Sequence, residues 1–336
     1  MAPSAIKGDR QTLRVGIYND KPFPLSMVRA LVQTPDPKQI AELNFSLDPG
    51  VQIYYDIPMQ CVWRGAYDVG ITTIEVSDIF GLLRIRFDLR RLPYYKQPQL
   101  IVYPRLVHIP YLTSAMRGAK YEGGGAHQVT EDGESFSDTR QYRFGDPFKR
   151  VHRKLSARKR QLFVKRYDLP MESTAIVAVN SREDHLSGED ALRQADISCE
   201  CAAAIAHYCL RIGYVVDLIG ADEYDPIVEG KGIRDFSRIY DSLAVMKFIP
   251  SGNIAANLSA NMRRHPNLKA VYVISSEYDQ DLSDLLAVLA QSGCYVKLLS
   301  PVFGGKEKAD IKPILGVNIS AVASADELIA TLDDHY

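Results

Sequence analysis

The chain has 336 residues, 46% of them hydrophobic and 24% charged, with 40 Lys or Arg against 41 Asp or Glu and a formal net charge of −1. That length exceeds what one hydrophobic core usually organises and predicts two domains, while the even charge balance argues against a protein that packages nucleic acid. Five cysteines without a C-x-x-C pair fit a reducing compartment rather than a disulfide framework, no window reaches the ~18 consecutive apolar residues of a membrane span, and the N-terminus has no apolar stretch of signal-peptide kind.

Residues 1–110 read as β-structure. The runs TLRVGIYN from Thr12, VQIYYDI from Val51, GITTIEVSD from Gly70, LLRIRFDL from Leu82 and QLIVYPRL from Gln99 are short and rich in β-branched and aromatic residues. Several alternate with period two, and Gly, Pro, Asp and Asn punctuate them. The expectation is an antiparallel β-sandwich. Residues 111–139 are rich in Gly, Ser and acids without an apolar face, and read as an exposed connector. The GGG within it is not followed by GK[ST] and opens no helix, so a phosphate loop is not expected.

From Ser173 strands alternate with helices. TAIVAVN from Thr174 is a continuous apolar run of the kind buried on both faces. Gly188 to Ile212 carries Leu192, Ala195, Cys199, Ala202, Ala206 and Cys209 at helical spacing, and Gly213 sits where a helix stops. Cys199 and Cys201 lie two apart on it and face different ways, which argues against a metal pair. YVVDLIG, a helix over Ile233–Met246, AVYVISS, a helix over Leu282–Gln291, YVKLLSP and a last helix beginning SADE follow, the last with Ser324 and Glu327 as a capping box. This alternation predicts an α/β domain with a largely parallel sheet covered on both faces.

Between the two regions lies the most unusual stretch. From Arg140 to Arg166 there are eleven Lys or Arg and one acid, Asp146, which leaves 29 basic against 40 acidic residues elsewhere. A structural reading makes Arg140, Asp146, Arg150 and Arg158 an ion network between domains, with guanidinium forks on one carboxylate. Gly145 then supplies a turn, Tyr142 packs, and Ser156 braces the chain before the strand LFVKRYD. An interaction reading, compatible with the first, turns the surplus cations toward an acidic protein or an anionic membrane surface, because one Asp cannot neutralise eleven charges. Nucleic acid is the weaker alternative, since no helix-turn-helix, RNP or OB pattern accompanies the aromatics here.

The same segment carries a resemblance. Arg140, Tyr142, Gly145, Asp146, Arg150, His152, Ser156, Ala157 and Arg158 fall in an R-x-Y-x-x-G-D signature ending in S-A-R, which resembles that of the bacterial family known as domain of unknown function fifty-eight. Arg64-Gly65-x-Tyr67, SDIFGL from Ser77 and VYPR from Val102 resemble its sandwich region. Where the family usually has a Trp near His152, this chain has Arg153. The resemblance implies a β-sandwich over 1–110 and, over 140–336, the signature segment plus a von Willebrand factor A-like (Rossmann-like) α/β domain. It further implies a setting beside MoxR-like AAA+ ATPases, without an established catalytic activity. Many members carry two transmembrane helices before the sandwich, so this chain is expected at the cytoplasmic face of the inner membrane if an anchor was removed, and in the cytoplasm otherwise.

Domains of that α/β type often hold Mg²⁺ with a D-x-S-x-S run after the first strand, and the corresponding positions here are Asn180, Arg182 and Asp184. A guanidinium near the ion opposes it: at 4 Å and an effective dielectric of ~20, each unit pair costs about 4 kcal/mol, roughly twice that for a dication. The other expected acid is replaced by Ser275-Ser276-Glu277. A degenerate site without metal or cofactor is therefore expected, with Mg²⁺ the only candidate ion. No GxSxG, HExxH or similar catalytic spacing is present; His152 is surrounded by cations and His207 lies mid-helix. The expectation is a non-enzymatic adaptor or scaffold with a MoxR-like AAA+ ATPase as partner. The alternative is an enzyme binding a metal or other ligand in the cleft at the C-terminal ends of the parallel strands, with Asn180, Asp184 and Glu277 on its rim.

Overall fold

A computed structural model of the chain describes residues 3–36, 38–78, 80, 82–109, 135–142, 151–168, 173–182, 188–222, 227–249, 252–302 and 313–328. The N-terminal module is all β. It contains β1 (Ser4–Ile6), β2 (Arg10–Tyr18), β3 (Leu25–Gln33), β4 (Ile40–Leu47), β5 (Gln52–Gln60), β6 (Gly65–Asp68), β7 (Gly70–Ser77), β8 (Arg84–Asp88) and β9 (Gln99–Tyr103). These form a β2–β5 ribbon, a four-stranded sheet ordered β4-β3-β7-β8 and a three-stranded sheet ordered β1-β9-β6. Val15, Val32 and Ile57 are buried between the ribbon and the four-stranded sheet, the two-layer burial expected of alternating strands.

Pairing is antiparallel throughout this module except that β1 runs parallel to β9, with Ser4 opposite Ile101 and Ile6 opposite Tyr103. The wholly antiparallel expectation is corrected there. The departure has a consequence, because it brings the C-terminal ends of β1 and β9 and the N-terminal end of β6 to one edge, Gly65 lying opposite Val102.

A basic hairpin follows. β10 (Ser135–Gln141) pairs antiparallel with β11 (Phe163–Asp168), and α1 (Arg153–Lys159) precedes β11. β10 starts inside the stretch read as connector, so that boundary moves back to before Ser135.

The remainder is a six-stranded sheet ordered β14-β13-β12-β15-β16-β17. Its strands are β12 (Thr174–Val179), β13 (Val215–Ile219), β14 (Val228–Gly230), β15 (Leu268–Ile274), β16 (Tyr295–Pro301) and β17 (Asn318–Val322), and only β14 runs antiparallel to its neighbour. All six residues of β12 are buried, as a central strand covered on both faces requires. Ala175, Val177 and Val179 face α2 (Glu189–Arg211) and α3 (Phe236–Val245). Ile176 and Ala178 face α4 (Ile254–Met262) and α5 (Gln280–Gln291). The helix read over Gly188–Ile212 is α2, but its burial is wider than one stripe: Gln194 to Ala206 are all buried, while Leu192 is 39% exposed. A helix buried nearly all round must be covered on its outer side too, and the cover includes Val107 and Ile109, which follow β9, and the side chains of Lys7, Arg64 and Arg105 at the ends of β1, β6 and β9. No helix among the described residues is long and apolar enough to cross a membrane.

Candidate functional site

Three places gather polar side chains into defined geometry. The first is the crevice at the C-terminal ends of the parallel strands. β12 pairs with β13 on one side and β15 on the other, so the chain leaves it in opposite directions, and open α/β sheets bind ligands at such a reversal. Asn180 follows β12 and Ser275 follows β15. The Asn180 amide donates to Ser275 Oγ at 2.8 Å and to the Glu277 carbonyl at 3.3 Å, which ties the two loops together. Ser275 Oγ donates in turn to that same carbonyl.

Asn180, Arg182, Asn253, Glu277, Tyr278 and Asp279 line a space of about 170 Å³ there. Gly252 lets the loop before α4 pass tightly, since a Cβ would stand 2.8 Å from the Ala221 carbonyl. Asn253 and Asp279 cap α4 and α5, accepting from Ala256 N and Leu282 N, so the helix N-termini are already satisfied by side chains. Arg182 does not turn away: its exposed side chain lines the crevice. Asp184 lies outside the described residues, and among the described residues no cluster of three His, Cys, Asp or Glu side chains could hold a metal ion. Asn180 is engaged in holding loops, and a guanidinium lining the same space as Glu277 and Asp279 makes the crevice suited to a zwitterionic or hydrogen-bonding group rather than to a bare dication.

The second place is the basic hairpin. Ser156 braces it as its position suggested: its buried Oγ accepts from Phe163 N at 2.9 Å. His152 caps α1, its Nδ1 accepting from Leu155 N at 3.1 Å while its own N–H donates to the Phe163 carbonyl at 2.8 Å. Tyr142 N donates to the Leu162 carbonyl at 2.8 Å. These bonds fix α1 against β11, and Arg153, Lys154, Ala157, Arg158 and Arg160 all face solvent. Among the described residues none of the four cations has an ion-pair partner; Lys159 stands over the Phe163 ring at 5.7 Å. Gly145, Asp146 and Arg150 lie outside the described residues, as does the side chain of Arg140.

The third place is one the sequence did not disclose. Asp196 and Glu200, one helical turn apart on α2, are buried to within 3%. They meet three cations, each from one end of a strand in the β1-β9-β6 sheet. Lys7 Nζ lies 2.9 Å from Asp196 and 2.8 Å from Glu200. Arg105 reaches Glu200 at 3.8 Å and Asp326 at 2.6 Å. Arg64 is itself buried; its backbone N–H donates to Asp196 at 3.3 Å, and its Nη1 donates to the carbonyls of Leu243 at 3.0 Å, in the last turn of α3, and of Met246 at 2.8 Å, just past it.

Burial alone would lower the Lys7 ammonium, but the two carboxylates outweigh it and the group titrates above its ordinary value. Burial pushes Asp196 up, with Lys7 and Arg64 pulling against it. Tyr103 extends the contact by donating to Asp241 at 2.6 Å, and Tyr240 donates to the Pro104 carbonyl. Ion pairs do join the modules, then, but among the described residues their acids sit on the α/β module, Asp196 and Glu200 on α2 and Asp326 after β17, and their cations on the β-module, not on the signature segment. His207 is half-buried, edge-on to Phe236 at 4.9 Å, and burial pushes it below its ordinary range.

Comparison with known proteins adds little chemistry. No curated protein matches the chain significantly. One solved structure that it resembles is a conserved hypothetical protein, BatB, from Bacteroides thetaiotaomicron, at 13% identity and a TM-score of 0.32, covering 48% of this chain and 96% of that one. Residues 138–299, which run from β10 through the signature segment into β16 and make up just under half of the chain, match the model of the family described as protein of unknown function DUF58.

Proposed function

We propose that the chain is a non-enzymatic adaptor: two modules clamped into one body, with the basic hairpin as a docking element for an acidic protein. The observation that carries this is the set of exposed cations Arg153, Lys154, Arg158 and Arg160, held on a braced helix without ion-pair partners among the described residues. A row of fixed like charges raises the energy of the free protein and is relieved by an acidic partner, with strong salt dependence. The family resemblance makes a MoxR-like AAA+ ATPase at the cytoplasmic membrane face the first partner to test. It also suggests that the α/β module is of the von Willebrand factor A type.

Capture of a purified MoxR-like ATPase tests the reading. Wild-type protein is expected to retain it at low salt, and Arg153→Glu/Arg158→Glu to lose it. Retention by the doubly reversed variant rejects the docking element. A second reading has support in the crevice of about 170 Å³ at the sheet reversal: a small ligand bound there through Arg182. A small molecule co-purifying with wild-type protein but not with Arg182→Ala, together with failed capture, would favour it.

A further inference from the structure

The β-module carries an exposed apolar feature that neither the clamp nor the basic hairpin uses. The turn between β7 and β8 is closed at its base: Asp78 N donates to the Leu83 carbonyl at 3.1 Å, and the Asp78 carboxylate accepts from Leu83 N at 2.9 Å. That closure leaves Phe80 81% exposed, Leu82 87% exposed and Leu83 60% exposed. Exposed apolar side chains on a soluble surface are ordinarily scattered singly, and clustered ones mark a contact.

Immediately behind this tip, Arg84 and Arg86 are exposed on β8. In register they stand opposite Ser77 and Glu75, and among the described residues neither forms an ion pair with those or any other side chain. The carboxylates nearest in sequence are engaged elsewhere, Asp88 by Arg90 and Arg91 and Asp78 by Leu83 N.

We propose that this tip is a wedge for an anionic lipid surface: Phe80, Leu82 and Leu83 enter the boundary between headgroups and acyl chains, and Arg84 and Arg86 hold the phosphates. The order along the hairpin matches the order of depth in a bilayer, with apolar groups at the end and cations one step behind. Arginine stems lie along the apolar zone while their guanidinium groups stay at the headgroups. A protein site for the same residues would be expected to surround them with a broad patch of about 800 Å² per partner whose centre is poor in charge. Here the apolar group is the end of a two-stranded hairpin, continued along β8 by Ile85 and Phe87, 45% and 47% exposed, which alternate with the cations Arg84 and Arg86. The wedge is separate from the basic hairpin in sequence and does not depend on the adaptor reading.

Co-sedimentation of the full chain with vesicles tests it, using phosphatidylcholine alone and phosphatidylcholine mixed with phosphatidylglycerol. Wild-type protein is expected to bind the mixed vesicles. Phe80→Ser/Leu82→Ser and, separately, Arg84→Glu/Arg86→Glu are each expected to weaken binding at least about tenfold. Arg153→Glu/Arg158→Glu should bind as wild type. The substituted positions are exposed, and unchanged melting temperatures will show that the variants fold. Absence of wild-type binding overturns the wedge, and so does binding lost only through Arg153 and Arg158, which would be adsorption by the basic hairpin. If the Phe80/Leu82 variant loses capture of the ATPase while keeping the vesicles, the tip fits a protein pocket instead.

Discussion

Arg64 shows what one side chain does for this architecture. It precedes β6, it is 8% exposed, and its guanidinium bonds carbonyls at the C-terminal end of α3 while its backbone N–H reaches Asp196. Removing its side chain takes one of two cations from the buried Asp196, leaving Lys7 alone to balance it, and strands the carbonyls of Leu243 and Met246 without their donor, which is costlier than never having built the contact. Arg64→Ala is expected to lose about 3–5 kcal/mol of stability, read from the urea midpoint. Arg64→Lys should recover little, since an ammonium lacks the fork that spans several acceptors. In the sequence this arginine stood out only as part of the family-like Arg64-Gly65-x-Tyr67. Nothing local announced that its partners lie on a helix more than a hundred residues away. Asp196 and Glu200 did leave a trace: two acids one turn apart within a run of Ala, Cys and Ile mark a helix with no fully solvated side. Read as a single apolar stripe, α2 concealed its second interface.

At the scale of elements, the strongly periodic or wholly apolar segments were legible. β12, β13, β15 and β16 all fall on runs read as buried strands, and α2 and α5 begin within two residues of their expected starts. The weaker elements escaped for physical reasons. β4 (Ile40–Leu47) mixes Ala, Glu and Asn among its apolar positions, which are poor strand formers on their own, and α4 is short and studded with Asn. Asn253 was the available sign, since it caps α4 through Ala256 N at 3.0 Å. α1 is an element held by its braces rather than by propensity, because an isolated helix this short is marginal in water. Ser156→Ala removes the acceptor for Phe163 N and is expected to cost about 1–3 kcal/mol. The loss should appear as faster amide hydrogen exchange across residues 152–164, with protection of the six-stranded sheet unchanged. Equal loss of protection in both regions would mean that the hairpin is part of the main core.

Over the whole molecule, the ion cluster and its surrounding tyrosines make the contact between modules sensitive to alkali. Lys7 titrates above its ordinary value of 10.5, burial being more than offset by Asp196 and Glu200. Burial pushes Tyr67 up to about 12, the hydrogen bond to Asp241 pushes Tyr103 up to about 12, and burial does the same for Tyr240. For every one of these groups the folded state keeps the proton that the unfolded chain has already released. Their stabilisation is therefore complete below pH ~10 and is lost as pH rises toward about 12. Loss of the Lys7 charge leaves Asp196 and Glu200 with only the longer ion pairs to Arg64 and Arg105, each 3.8 Å, and a tyrosinate at Tyr103 would oppose Asp241 directly. The modules should consequently part before the β12–β16 sheet, whose core is apolar, gives way. Between pH 10 and 12, small-angle scattering is expected to show an increase in radius of gyration while far-ultraviolet circular dichroism holds steady. Glu200→Lys should produce the same expansion near neutral pH, because it sets like charges around a site built to neutralise Lys7 and Arg105. A chain that keeps its compact radius through both perturbations would owe its module contact to apolar packing, with the buried charges contributing nothing to holding it.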